Sequence, residues 1–441
     1  MLIWLPMRTP TLSLLVSSVF SLLVACGDSS SSSGGSGGAG GSGGSGGGGS
    51  TPQACDGLDL SGCDLALGPT DDDTTTLQSA FIEGVNSGET VCLCPGTYNL
   101  TNELSVDKPN LTVRGVGASR DDVILDFANQ RGGDDGLTAT SDGFTVEKLT
   151  VKNTPGNGIV VTGADGVTFR DLKVFWDAGS VTENGAYAVY PVKSKNVLIE
   201  DCEIVGAADA GAYVGQSENI IVRRNKVYAN VAGIEIENST DAEVYENEAY
   251  DNSAGVLVFT LPNLEKKDGI NCDVHDNEIY DNNRENFAEN GTVVAAVPPG
   301  IGVLVLSADE THIHDNNIYD NDSTSVIVVS FTTLGLLLPD VDEDPLTDPD
   351  PEGLYVYGNT FTNNGAMPFE PLSTLPANPL ENVVWDGVEK TEGSGEICLS
   401  AMPPTFRNFN GIANIGNAAN QSTDTTPFEC DREPLPAIVL P

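Results

Sequence analysis

Residues 222–230 read Val-Arg-Arg-Asn-Lys-Val-Tyr-Ala-Asn, and the phrase returns at 244–252, 274–282, 313–321 and 356–364. Its fourth place holds Asn225, Asn247, Asn277, Asn316 and Asn359, and its ninth holds Asn230, Asn252, Asn282, Asn321 and Asn364. Upstream, Cys202, Leu172 and Leu149 occupy the first of these columns. The base step is 22–23 residues, and the steps of 30, 39 and 43 are the same unit with insertions. A unit this short, with alternating apolar residues and no 3.6-residue period, excludes helical repeats and predicts a solenoid of coils with three short strands each.

Between the Asn columns the inward places are Val227, Ala249, Ile279, Ile318 and Phe361. After a gap comes a strand whose inward residues are Ile159, Val189, Ala212, Ile234, Val256, Val303 and Val326. Asn at a sharp turn is expected to take the left-handed conformation while its amide bonds the Asn of the next coil. This pattern resembles the right-handed parallel β-helix of pectin-lyase-like, carbohydrate-processing repeat proteins. The resemblance covers about residues 74–365 and implies an all-β solenoid of roughly ten coils. A helix is expected over Thr74–Gly88, with Leu77, Ala80, Phe81 and Val85 on its apolar face and Thr74 to Thr76 offering caps. Followed by Pro95-Gly96-Thr97-Tyr98, it resembles the entry cap of pectin-lyase-like proteins. The expected division is a signal segment at 1–25, an anchor and linker at 26–50, an N-terminal cap at 51–98, the parallel β-helix at 99–365 and an irregular, Pro-rich C-terminal cap at 366–441.

The chain has 441 residues, with 64 acidic against 20 basic ones, for a formal charge of −44. Such a field repels phosphate backbones, which excludes nucleic acid as a partner and disfavours anionic lipid. An apolar run at 11–25 behind Arg8 ends in Leu23-Val24-Ala25-Cys26. It has the form of a secretory signal, too short for a membrane span, and it resembles the lipobox of bacterial lipoproteins, with Cys26 as the acylated residue. By the same resemblance, Gly27 favours the outer membrane, facing the periplasm or the cell surface. The Ser/Gly stretch that follows is expected to act as a tether of about 25–30 Å mean span.

Eight further cysteines lie in this exported, disulfide-permissive setting. Cys398–Cys430 is expected to staple the C-terminal cap. Cys55 and Cys63 are the partners for Cys92 and Cys94, with the pairing open and a zinc site as the alternative. Cys202 and Cys272 stand coils apart and are expected to be free and buried.

Chemistry is sought on the outward columns of the gap strand: Val160, Tyr190, Tyr213, Glu235, Leu257, Leu304 and Ile327, then Thr162, Val192, Gly215, Glu237, Phe259, Leu306 and Val329. Pectin-lyase-like enzymes carry their active site on this face, and the insertions 176–186, 261–271, 283–300 and 332–352 all flank it. The columns hold no Lys, Arg or His to serve a uronate lyase or epimerase, and the Asp-Pro-His-Asp motif of alginate epimerases does not occur. Tyr190, Tyr213, Glu235 and Glu237 are the ligand-binding candidates, expected to be displayed together in a cleft between 176–186 and 283–300. The apolar residues further along are expected to be covered by Val293–Pro298 and Leu334–Pro339. His275 and His314 share a second-face column beside Asp273 and His312, as plain surface residues rather than a metal site. Tyr228, Tyr250, Tyr280 and Tyr319 form a third-face row read as structural. The acidic loop 340–352 offers oxygens to calcium but lacks the spacing of a dedicated loop.

The resulting expectation is a lipid-anchored envelope protein that binds a carbohydrate, or a second exported protein, without catalysis. The alternative is a polysaccharide lyase, glycoside hydrolase or uronate epimerase. Aromatic rings beside carboxylates suit a neutral or amino sugar better than a uronate. No reacting residue is assigned, and no resident cofactor is expected apart from the calcium candidate.

Overall fold

The alternation at 232–250 becomes three strands, Ala232–Glu237, Thr240–Tyr245 and Glu248–Tyr250, which make one coil. Repetition stacks such coils into three sheets whose strand pairs are all parallel. In the computed structural model the first sheet has eleven strands, the second twelve and the third ten, among the described residues. These are 52–335, 344–375, 379–390, 397–400 and 404–441. The signal segment, Cys26, the linker and residues 336–339 of the second apolar run lie outside them. The chain divides at Gly49, and the unit described is Ser50–Pro441. With parallel crossovers taking their usual hand, this is a right-handed parallel β-helix with a short N-terminal helix.

The register keeps each column intact. Ala212, Ile234, Val256, Val303 and Val326 stack on the first sheet, and all are buried in one core that runs the length of the coils. A one-residue slip would turn every one of these side chains outward, which is why the register is so strongly specified.

Both Asn columns form ladders inside the turns. The Asn225 backbone N–H and Nδ2 both donate to Asn247 Oδ1, at 3.0 and 2.9 Å, and Nδ2 also donates to the Ile199 carbonyl at 3.0 Å. The same pattern links Asn247, Asn277, Asn316 and Asn359, and it repeats from Asn230 to Asn364. Buried amides satisfied in this way stabilise the turn instead of penalising it. The backbone differs from expectation: the left-handed residue is the one before each Asn. Arg224, Glu246, Asp276 and Asp315 have φ of 54°, 54°, 52° and 52°, and Ala229, Asp251, Asp281 and Asp320 have 60°, 54°, 51° and 56°. Each such residue costs about 1–2 kcal/mol of backbone strain, which the ladder bonds beside it offset.

The entry helix runs over Asp73–Ser79 and continues as a wider turn to Gly84. Its expected face, Leu77, Ala80, Phe81 and Val85, is buried. The cap is Asp72, which accepts from the Thr75 N–H at 3.1 Å, in place of the threonines. Val91 and Leu93 enter the core, while Cys92 and Cys94 bond to the preceding segment. The pairs are Cys55–Cys94 and Cys63–Cys92, and Cys398–Cys430 closes the other end. Cys202 and Cys272 are free and buried; the Cys202 N–H donates to Asn225 Oδ1 and so starts the ladder. The sheets reach past both expected boundaries. Leu65–Leu67 and Thr90–Leu93 already belong to the second sheet, and Val383–Trp385, Ile397–Leu399 and Phe406–Asn408 extend the first and second beyond residue 365. Among the described residues no helix is long and apolar enough to cross a membrane.

Candidate functional site

Tyr190, Tyr213 and Glu235 occupy one outward column of the first sheet, and Val192, Gly215 and Glu237 the next. The two columns bring the four candidate residues together over three coils. They are not displayed as expected. Tyr213, Glu235 and Glu237 are only 4%, 3% and 7% exposed, and Tyr190 is half-buried. A cleft of about 640 Å³ does lie between the insertions 176–186 and 283–300, but Ser180, Thr182, Asp251, Arg284 and Phe287 line it, not these four. The insertions meet instead: Thr182 Oγ1 donates to the Phe287 carbonyl at 2.8 Å.

Tyr187 and Asp209 complete the cluster. The Tyr187 ring centre lies 4.6 Å from that of Tyr190 and 4.4 Å from that of Tyr213, and the Tyr190 and Tyr213 centres are 5.0 Å apart. The planes meet at 35°, 36° and 70°, so the rings are tilted rather than stacked flat. The Tyr187 N–H donates to Asn157 Oδ1 at 3.0 Å, and Asn157 in turn donates twice to Asp135 Oδ1 at 2.9 Å. The Asp209 N–H donates to the Ala186 carbonyl at 3.0 Å, which ties it to the turn before Tyr187. Tyr187 and Asp209 are half-buried and form the open side of the cluster.

The three carboxyls are all shifted toward the protonated form. Burial pushes Glu235 well above the usual carboxylate range, and the charges of Asp209 and Glu237 push it further. Glu235 and Glu237 stand two residues apart on one strand, on the same face of the sheet. Burial also raises Glu237, against hydrogen bonds from Tyr213 and Glu235; the Tyr213 hydroxyl donates to Glu237 Oε1 at 2.7 Å. Asp209 is pushed up to about 7 by burial and by the Glu237 charge, against a hydrogen bond from Tyr187. Glu235 Oε2 has no hydrogen-bond partner.

Further along the same sheet the outward residues are apolar and covered. Leu257, Phe259, Leu304, Leu306 and Ile327 are buried in a second apolar cluster with Val294 and Val297, as expected for the first cover run. Of the second run, Leu334 joins this cluster. Additional cover comes from Leu372, Leu380 and Phe409 of the C-terminal region, whose sequence carries no repeat. A cavity of about 280 Å³ remains beneath it, lined by Phe259, Leu304, Leu306, Ile327, Leu372 and Phe409 among others.

The other faces are tightly paired. Tyr245, His275, His314 and Tyr357 stack at 5.0, 5.0 and 4.5 Å on the second sheet, and His314 Nε2 reaches Asp273 Oδ1 at 3.0 Å. Tyr228, Tyr250, Tyr280 and Tyr319 stack at 5.0, 5.1 and 4.8 Å with planes within 13°. Rings stacked flat on one another offer edges, not faces, to a sugar. In the acidic loop, Asp344 pairs with Lys267 and Asp348 with Lys390. Among the described residues no group of three or more His, Cys, Asp or Glu is arranged around a metal position.

A family model described as "Right handed beta helix region" matches residues 136–293 and 180–338. No curated protein matches the sequence. Among solved structures, the chain is similar to the A-module of mannuronan C-5 epimerase AlgE6 from Azotobacter vinelandii, at 17% identity, covering 77% of this chain and 90% of that one with a TM-score of 0.48. It is similar to an alginate lyase from Paenibacillus sp. str. FPU-7 at 15% identity, over 68% and 97% of the two chains, with a TM-score of 0.40. A third is the Dettilon tailspike protein, at 13% identity, 77% and 65% coverage and a TM-score of 0.45. At such values none of these likenesses carries an argument about activity.

Proposed function

We propose that this chain is an exported, lipid-anchored β-helix that binds a carbohydrate on the first sheet without turning it over. The observation that carries the reading is the tilted tyrosine trio, half-open at Tyr187 and Tyr190, set on hydrogen-bonded carboxyls. A half-buried tyrosine presents an apolar ring with a polar hydroxyl, which suits a sugar with apolar faces and polar edges. Catalysis is disfavoured by geometry. A glycoside hydrolase opens its two carboxyls to a scissile bond that passes between them, whereas Glu235 and Glu237 are only 3% and 7% exposed. A lyase or epimerase needs a cation to neutralise the uronate carboxylate, and the outward columns here offer none.

A glycan array tests the reading. Wild-type protein is expected to bind neutral or amino glycans, and Tyr190→Ala with Tyr213→Ala is expected to abolish that binding. Calcium-independent alginate or pectate binding that survives the double variant would place the site elsewhere. A uronate turnover screen, with and without calcium, is expected to show no product. The address is tested separately: Cys26→Ser is expected to move the protein from membranes to the soluble fraction, and equal membrane retention of the variant would refute the anchor.

A further inference from the structure

The tyrosine–carboxyl cluster is short of positive charge in a chain that elsewhere spends its few bases on its acids. Glu200, only 4% exposed, is met by Arg170, Arg223 and Arg224 at 2.6, 2.7 and 2.6 Å. Asp251 has Arg284 at 2.6 Å, and Arg407 reaches Glu381 at 2.6 Å. Among the described residues no ion pair joins a Lys, Arg or His to Asp209, Glu235 or Glu237, and the Tyr213 hydroxyl is the donor on Glu237. Glu235, nine-tenths buried and more, leaves Oε2 without any donor. Such a group costs free energy while it stays unmatched.

We propose that this cluster is the recognition site for a cationic amine, with a primary ammonium meeting it at the half-buried edge of Tyr187, Tyr190 and Asp209 and drawn by the Glu235 and Glu237 carboxyls behind that edge. The inference rests on the carbohydrate reading and narrows it to amino sugars carrying a free amine. An ammonium provides three donors and no acceptor, which matches a cluster rich in acceptors, one of them, Glu235 Oε2, without a donor. It is also attracted to aromatic faces within about 6 Å of the ring centre. The half-buried side formed by Tyr187, Tyr190 and Asp209 is the way in, and the charge of −44 raises the local concentration of cations there.

Calorimetry on the full chain at pH 7 and physiological salt, with two probes of equal length, decides it. One is a tetramer of glucosamine, the other a tetramer of N-acetylglucosamine, which lacks the charge. The glucosamine tetramer is expected to bind at least about tenfold more tightly, a factor worth about 1.4 kcal/mol. Glu235→Gln with Glu237→Gln is expected to erase that preference. The change removes only two of many negative charges, so general attraction to the acidic surface stays almost intact. Tyr187→Leu, which leaves the carboxyls in place, is expected to weaken the glucosamine tetramer and serves if the double variant folds poorly. Equal binding of the two tetramers by wild-type protein would overturn the amine inference and leave the carbohydrate reading standing. A preference that persists in both variants would locate the attraction elsewhere and overturn it too. Absence of binding by either tetramer would refute both.

Discussion

Glu200 and Glu235 are both buried carboxyls on strands of the same solenoid, and they are handled in opposite ways. Glu200, on the second sheet, sits under three guanidinium groups that hold it down to about 2 in spite of burial. Glu235, on the first sheet, is held well above the usual range by burial and by the neighbouring Asp209 and Glu237 carboxyls. Arg170, Arg223 and Arg224 are partly open to water, so the Glu200 cluster is a braced surface network completed within the chain. Among the described residues, the Glu235 cluster has no such counter-charge, and Glu235 Oε2 has no donor. A buried charge that a protein matches with its own residues is structural. One left unmatched, at a half-open edge lined by tilted aromatic rings, is the kind of site that awaits something.

The sharpest break in this comparison is a difference of sign. Glu200→Ala is expected to destabilise the protein by about 2–3 kcal/mol, below the full cost of orphaning a buried pair because the guanidinium groups reach water. Glu235→Gln with Glu237→Gln is expected to stabilise it at alkaline pH, because it removes charge that nothing neutralises. Denaturant melts of both variants at pH 8 check this. Loss of similar stability in both would mean that the two clusters play the same role.

The pH profile sharpens the same contrast. Glu200 is depressed, so its contribution is full above the unfolded carboxylate value of about 4 and is lost as the pH falls toward about 2. Asp209, Glu235 and Glu237 are raised. Their contribution is full below about 4 and is lost as the pH rises through the folded values, about 7 for Asp209. Wild type and the double Gln variant are therefore expected to keep a constant difference below about pH 4 and to diverge as the pH rises to 8, with the variant gaining stability relative to wild type. Asp309, also raised to about 7, is common to both and cancels in the difference. Parallel profiles for the two proteins would show that the cluster does not hold protons.

How much of this was legible follows from what a period encodes. Columns, ladders and core positions recur every coil, so Asn225 to Asn359 and Ile234 to Val326 declared themselves, as did the meeting of Tyr190, Tyr213, Glu235 and Glu237. Tyr187 and Asp209 did not. They stand at the strand entrance, where Gly211 and Gly233 pack against the next coil. A Cβ on Gly211 would lie 2.9 Å from both Asn230 Nδ2 and the Gly233 carbonyl, and simple alternation fails across that point. Tyr187 lies in register with Ala210, in a column that outward counting from Tyr190 passes over. Burial of the cluster was hidden for a different reason. The apolar residues beyond it share a cluster with Leu372, Leu380 and Phe409, which come from segments after 365, where no repeat ties a residue to a place. The left-handed residue before each Asn was missed because a ladder Asn already explains a turn. In fact the residue ahead of it takes the strain, and its side chain pairs outside the turn, as Arg224 does with Asp201 and Asp251 with Arg284.

The smallest expected effect concerns Gly215, which separates Val192 from Glu237 in the second outward column. Its backbone is not left-handed, so an alanine there meets no strain of conformation and would ordinarily stabilise the chain by about 0.4–1 kcal/mol. What it meets is the Tyr213 hydroxyl, which a methyl group at this position would overlap. Gly215 is therefore the space that lets Tyr213 lie over the sheet and donate to Glu237. Gly215→Ala is expected to cost about 1 kcal/mol net, within the usual range for overpacking, and to weaken the glucosamine tetramer by moving the ring. Gly416, with nothing near a built Cβ and no positive φ, is the matched control, and Gly416→Ala is expected to be neutral or slightly stabilising. Thermal melts and tyrosine near-ultraviolet dichroism on the pair separate the cases. A changed tyrosine signal with weaker amine binding in Gly215→Ala alone ties Tyr213 to the site. Identical behaviour of the two variants would show that Tyr213 holds its place without the glycine, and that the tyrosine trio is less finely set than the unmatched carboxyls beneath it.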